Sequence, residues 1–264
     1  MVLPPPLSGV LVSLVTPFED EAPRLDWLSE NMDALNRTDI RGYLALGGNG
    51  EAQTLTESER LRVLEEILAR KGSKTVIAGV SEESSRAALE TALLYAGRGA
   101  EYLRVMPPHY FAKQMGDEVL VRFYREVADG SPAPLLLYNV PQLTGGVRLS
   151  PAAAAELARH PNIHGVKDSS PEGIYGYLAA VRGIPGFRVF AGSAAIFFPA
   201  LVAGASGGDM SLLRPVRRVH LRGSRPGPVP PSPALLGERG SLRNLRGRGR
   251  QGRHGPPGLP GRGA

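Results

Sequence analysis

The feature that most constrains this chain is a seven-fold recurrence of short apolar runs, each separated from the next by a segment with helical signals. The runs cover residues 10–16, 42–46, 75–80, 102–106, 135–139, 163–166 and 188–191. Gly, Pro or polar residues bound each one, which is how strands buried on both faces of a parallel sheet read. Their starts recur every ~25–35 residues, the length of one βα unit. Seven such units in a row argue for a closed barrel or a doubly wound sheet. The chain has 264 residues, and a (β/α)8 barrel takes ~250, so one such α/β domain fits.

The intervening segments carry start signals for helices. Thr56-Glu57-Ser58-Glu59 reads as a capping box, followed by an apolar stripe of Leu61, Val63, Leu64 and Leu68. Ser150-Pro151 reads as an N-cap with proline in the first turn, opening an alanine-rich run to His160. Asp117 is expected to cap residues 120–128, and Ser84 or Ser85 the run to Tyr95.

At about Asp209 the composition changes. Residues 210–264 hold 12 Arg, no Lys and one acid, Glu238, a net +11; the other residues hold 19 basic and 24 acidic groups, a net −5. The sequence pI of 9.8 therefore belongs to the tail and says nothing about nucleic acid binding by the body. The tail also holds 11 Gly and 9 Pro among 55 residues, with no periodic apolar pattern. We expect two regions: 1–209 as the barrel domain, its eighth βα unit doubtful, and 210–264 as a segment that is disordered or read from a shifted frame of GC-rich DNA. The rival is a genuine basic tail. Without interleaved aromatics it would bind nucleic acid nonspecifically and salt-sensitively.

The chain has no cysteine, which excludes disulfides, thiolate metal sites and cysteine nucleophiles. No run approaches the ~18 apolar residues of a membrane span. The apolar stretch 7–15 has no basic residue before it and adjoins Pro4, Pro5 and Pro6, which argues against a secretory signal. The expected location is the cytoplasm.

Four features follow strand ends, where a parallel barrel places its site. Gly47-Gly48-Asn49-Gly50-Glu51 is either a tight turn or a cradle in which backbone amides hold an anion. Tyr138-Asn139-Val140-Pro141, with Thr144-Gly145, is either a buried tyrosine before a turn or a site element. In Gly165-Val166-Lys167-Asp168-Ser169-Ser170 the lysine follows an apolar strand and should be drawn inward. Buried lysine is rare unless paired or functional. Either Lys167 pairs with Asp168, or desolvation supplies the neutral amine that attacks a carbonyl. Pro107-Pro108-His109-Tyr110 reads equally as a surface loop.

Together these motifs resemble the dihydrodipicolinate synthase / N-acetylneuraminate lyase superfamily over roughly residues 9–208. The resemblance includes Leu14-Val15-Thr16-Pro17-Phe18, the glycine turn ending in Glu51, Tyr138-Asn139-Val140-Pro141, Gly165-Val166-Lys167 and Ala191-Gly192-Ser193. It implies a TIM barrel, usually a homotetramer, with no cofactor or metal. Lys167 would form the Schiff base with the keto carbon of pyruvate and Tyr138 would relay protons. Gly48 and Asn49 would bind the carboxylate through their amides. Tyr110 matches a tyrosine that reaches a neighbouring subunit's site in some members, and Ser169 is as in the 4-hydroxy-2-oxoglutarate aldolase branch.

Three departures bear on this. Gly48 stands where a hydroxyl usually links the proton relay. Leu143 stands where dihydrodipicolinate synthases carry an arginine for a second carboxylate, which argues against lysine biosynthesis. After Gly207-Gly208 nothing matches, so neither an eighth helix nor tetramer contacts made by C-terminal helices are expected. The resemblance implies a metal-free class I aldolase or lyase of a 2-oxo acid, such as 4-hydroxy-2-oxoglutarate. Alternatives are a sialic-acid or sugar-acid lyase, dihydrodipicolinate synthase, or an inactive relative with a nonspecific nucleic-acid-binding tail.

Overall fold

The computed structural model describes residues 7–170 and 173–210. Eight parallel strands close into a barrel: β1 Gly9–Ser13, β2 Gly42–Ala45, β3 Thr75–Val80, β4 Tyr102–Val105, β5 Leu135–Asn139, β6 Ile163–Asp168, β7 Arg188–Ala191 and β8 Gly207–Met210. Each pairs with its sequence neighbours, and β8 closes the ring on β1 through Gly9↔Gly207 and Leu11↔Asp209. Closure decides for the TIM barrel over the doubly wound sheet. It needs glycine at 207, where a Cβ would lie 2.0 Å from the Gly9 carbonyl oxygen.

The helices between strands are α1 Leu25–Asn36, α2 Glu57–Arg70, α3 Ser85–Gly97, α4 Asp117–Gly130, α5 Pro151–Leu157, α6 Tyr175–Ala180 and α7 Phe197–Val202. The capping box at Thr56 forms in both directions. Ser84 caps α3, and Ser150 caps α5 with Pro151 in its first turn. The expected cap at Asp117 is corrected: Gly116 is the N-cap of α4. The Asp117 carboxylate instead accepts from the Ser150 amide and hydroxyl at 3.1 and 2.5 Å, tying α4 to the start of α5.

Two strand ends differ from expectation by more than one residue. The first strand stops at Ser13 rather than residue 16, because Thr16 turns its hydroxyl to the Gly50 carbonyl at 2.7 Å and Pro17 has no N–H. The sixth continues two residues further, to Asp168, through pairings Tyr138↔Lys167 and Lys167↔Phe190.

Two apolar layers result from strand alternation. Leu11, Leu44, Ile77, Tyr102, Leu136 and Phe190, with Leu7, fill the barrel interior. Val12, Leu103, Val105, Leu137 and Val166 face outward into the larger core under the helices. On α7, Phe198, Leu201 and Val202 are exposed. β8 ends one residue beyond the expected boundary at 209; the expectations for an eighth helix and for the tail fall outside the described residues.

Candidate active site

Moving two residues along each strand from the interior apolar layer keeps a side chain pointing inward and carries it toward the C-terminal mouth. Leu11 gives way to Ser13, Tyr102 to Arg104, Leu136 to Tyr138, Gly165 to Lys167 and Gly207 to Asp209. The apolar plug is thus topped by a polar layer beneath a cavity of about 570 Å3. All eight strands, or the residues directly after them, line it, including Ser13, Gly48, Gly79, Arg104, Tyr138, Lys167, Gly192 and Asp209.

Lys167 is only 5% exposed. Its Nζ lies 2.9 Å from Asp209 Oδ2 and 5.0 Å from the centre of the Tyr138 ring. The counter-ion is therefore Asp209, not Asp168. Adjacent strand residues face opposite ways, so Asp168 points away from the lumen. Its Oδ1 accepts from Asn139 Nδ2 at 2.8 Å, and its Oδ2 accepts from the Ser170 hydroxyl at 3.0 Å. Asn139 Oδ1 in turn accepts the Leu149 amide at 3.1 Å.

Asp209 is the hub of the polar layer. Ser13 Oγ donates to its Oδ1 at 2.7 Å, and Arg104 Nη1 sits 3.5 Å from the same Oδ2 that Lys167 approaches. Burial pushes its carboxyl up. The charges of Lys167 and Arg104 and the Ser13 hydrogen bond outweigh that and hold it below the usual carboxylate value. Arg104 lies over the Tyr138 ring with its guanidinium carbon 4.1 Å from the centroid.

The glycine turn folds as a short 3-10 segment, Gly48–Gly50, flanked by Leu46 and Glu51 at φ of 54° and 52°. Non-glycine residues held left-handed beside a cavity store backbone strain at a functional site. Gly79 lets the Leu46 carbonyl approach, since a Cβ there would lie 2.3 Å from that oxygen. Among the described residues the Gly48 and Asn49 amides donate no backbone hydrogen bond outside regular elements, whereas Gly50 and Glu51 close the turn on Gly47 and Gly48.

Of the expected site residues, Lys167, Tyr138, Gly48, Asn49 and Ser169 all line the cavity. Leu143 lines it too, its methyl 3.7 Å from where a Gly48 Cβ would stand. Tyr110 does not. It is 78% exposed and packs edge-on against Phe111, while His109 reaches the cavity. Sequence reasoning missed Ser13, Arg104 and Asp209. The signal was there for Arg104: a lone charge in the apolar run Tyr102-Leu103-Arg104-Val105, at an inward position. No group of three or more His, Asp or Glu with metal-binding geometry occurs among the described residues.

The model of the Dihydrodipicolinate synthetase family matches residues 6–212. The chain belongs to this family. Among its curated relatives is the L-threo-3-deoxy-hexylosonate aldolase of Aspergillus niger, 35% identical over 175 residues, covering 63% of this chain and 52% of the relative. The 4-hydroxy-tetrahydrodipicolinate synthase of Xylella fastidiosa is 35% identical over 205 residues, 76% of this chain and 66% of that one. A putative mitochondrial 4-hydroxy-2-oxoglutarate aldolase of Coccidioides immitis is 32% identical over 209 residues, again 76% and 66%. The chain thus spans between half and two thirds of the length of these family members. Dihydrodipicolinate synthase from Thermotoga maritima shares the fold at a TM-score of 0.74 and 24% identity, covering 82% of this chain and 81% of that one. The 2-keto 3-deoxygluconate aldolase from Picrophilus torridus gives 0.72 at 25% identity, covering 83% and 80%. Relatives in this family include aldolases and lyases, and the barrel and resemblance expected from the sequence both hold. No helix among the described residues is long and apolar enough to cross a membrane.

Proposed function

We propose that the chain is a Schiff-base-forming aldolase or lyase that cleaves a 2-oxo acid, with pyruvate as one product. The observation that carries this is Lys167: a buried amine at the end of β6, aimed into a cavity lined from all eight strands. An amine is a poor nucleophile while protonated. Attack therefore requires that its proton leave, with Asp209 at 2.9 Å the nearest carboxylate. Nζ then bonds to the keto carbon and water is lost. Asp209 returns the amine's proton to the departing hydroxyl as water is lost, and is ionised again beside the iminium as its counter-charge. The positive iminium draws in the electrons of the C3–C4 bond while the C4 hydroxyl gives up its proton, so the aldehyde departs and an enamine remains; C3 then takes up a proton and water releases pyruvate and the free amine. Tyr138, whose ring lies against both Arg104 and Lys167, moves the protons.

Gly48 and Asn49 present their amides to the substrate, and Ser169 lines the pocket for the remaining half. Leu143 leaves no cation where a second carboxylate would be held, which disfavours the dihydrodipicolinate synthase reaction. The names of two relatives, a hexylosonate aldolase and a 4-hydroxy-2-oxoglutarate aldolase, favour a hydroxylated 2-oxo acid. Tyr110 enters the reading only through an assembly in which it meets another copy's site. A pyruvate-release screen over hydroxylated 2-oxo acids, with and without chelator, tests the proposal. Release that survives chelation is expected; release abolished by chelation, or absent with every 2-oxo acid, contradicts it.

A further inference from the structure

Arg104 is the odd group in this cavity. It is only 4% exposed, and guanidinium does not lose its proton in a protein. Yet among the described residues its side chain makes no conventional hydrogen bond. Its Nε is buried with no partner, and its single charge contact, Asp209 at 3.5 Å, is shared with Lys167. A buried cation with five N–H donors is costly to leave in that state.

The surroundings are arranged to hold the guanidinium rather than to satisfy it. Tyr138 occupies its face at 4.1 Å. Gly47 leaves room at its end: a Cβ there would lie 3.3 Å from Arg104 Nη2. The fork of N–H groups is therefore the part still open to a ligand. The charges agree. Arg104 and Lys167 bring two positive groups to the cavity and Asp209 brings one negative group. His109, which also lines it, is engaged with Glu83 at 3.1 Å. With the iminium formed on Lys167, the layer carries one excess positive charge, which a monoanion neutralises.

We propose that Arg104 binds the carboxylate of the 2-oxo acid and so positions its keto carbon at Lys167. This rests on the reading of Lys167 as the attacking amine. Distance supports it: Arg104 Nη1 and Lys167 Nζ approach the same Asp209 oxygen. A 2-oxo acid joined to Nζ through its keto carbon has its carboxylate one bond further on, and turned toward Arg104 that carboxylate would bridge the gap between the two cations that Asp209 Oδ2 now spans. A carboxylate matches the guanidinium fork with two parallel bonds.

The test is borohydride trapping on the full chain, read by mass, with pyruvate and with methyl pyruvate, which keeps the ketone and lacks the charge. R104M should raise the pyruvate concentration for half-trapping by roughly 10²-fold, the scale of a lost buried charged contact. It should leave the methyl pyruvate value within about threefold. R104K, a point charge without the fork, should fall between parent and R104M for pyruvate alone. On the unmodified chain, acetate should compete with pyruvate and acetamide should not. Equal losses for both ketones in the variants overturn the proposal, as does equal competition by acetate and acetamide; the latter holds even where a variant fails to fold. Trapping of neither ketone by the unmodified chain overturns the aldolase reading itself, which separates the two failures.

Discussion

Replacing Asp209 by Asn should destabilise the barrel by about 3–5 kcal/mol at pH 7, the cost of leaving buried charge without its partner. Asn keeps the shape and the acceptor for Ser13, so the change isolates the charge. In the parent, Asp209 faces Lys167 at 2.9 Å and Arg104 at 3.5 Å. At an effective dielectric of 20 these attractions are worth about 6 and 5 kcal/mol, and desolvation of three charges cancels much of that sum. In D209N two like charges remain together with nothing between them. A loss of this size is a large part of a domain's 5–15 kcal/mol.

The assay is urea unfolding of parent, D209N, K167M and the double variant. K167M should destabilise the parent, because it leaves Asp209 with Arg104 alone. It should stabilise D209N, because it removes a like charge. The pH dependence has a definite sign. The Asp209 carboxyl is held below its ordinary value, so its contribution is fully present above that value and is lost as pH falls through the lowered one. The gap between parent and D209N should therefore stay constant from neutral pH to about 4 and close only below it. A D209N protein within about 1 kcal/mol of the parent at pH 7, or K167M destabilising in both backgrounds, would refute the reasoning.

Three further outcomes follow from the same geometry. Tyr138→Phe keeps the ring under Arg104 and removes only the hydroxyl, so kcat for pyruvate release should fall by ~10²-fold or more with the melting temperature little changed; a change under threefold removes Tyr138 from proton transfer. Gly48→Ser has room, with only a Leu143 methyl 3.7 Å from the new Cβ, so the variant should fold as the parent does and keep kcat within about tenfold of it; a kcat far above the parent's would show that the missing hydroxyl limits the reaction. Gly207→Ala places a Cβ 2.0 Å from the Gly9 carbonyl oxygen and must force β1 from β8, costing roughly 1–3 kcal/mol or more by chemical unfolding; an unchanged midpoint would contradict the closure described here.

Much of the barrel was legible because apolar runs and capping residues are local signals. Thr75–Val80, Leu135–Asn139 and Arg188–Ala191 have the bounds their composition suggests, and Thr56 and Ser150 cap as their side chains allow. The polar layer was half legible. Lys167 and Tyr138 stand out by motif, but Asp209 lies at the edge of a compositional break and its partners come from β1, β4 and β6. No local pattern links Ser13, Arg104, Lys167 and Asp209; only the closed ring does. Of the two readings left open for Lys167, pairing with Asp168 is the one that fails: Asp168 is adjacent in sequence but turned to the other face by strand alternation. Its real partners, Asn139 and Ser170, fix the strand end rather than the lumen.

One particular amine does the chemistry in this reading, and the chain offers few rivals to it, with four lysines, Lys71, Lys74, Lys113 and Lys167. Lys71 pairs with Glu101 at 3.0 Å, and Lys74 donates to the Thr38 and Ile40 carbonyls. Neither lines the cavity, and nor does Lys113. Borohydride reduction in the presence of pyruvate, followed by peptide mapping, measures which one reacts. A single reduced adduct is expected, on the peptide containing Lys167, and none in K167M. An adduct spread over the other three lysines, or one that persists in K167M, would contradict it.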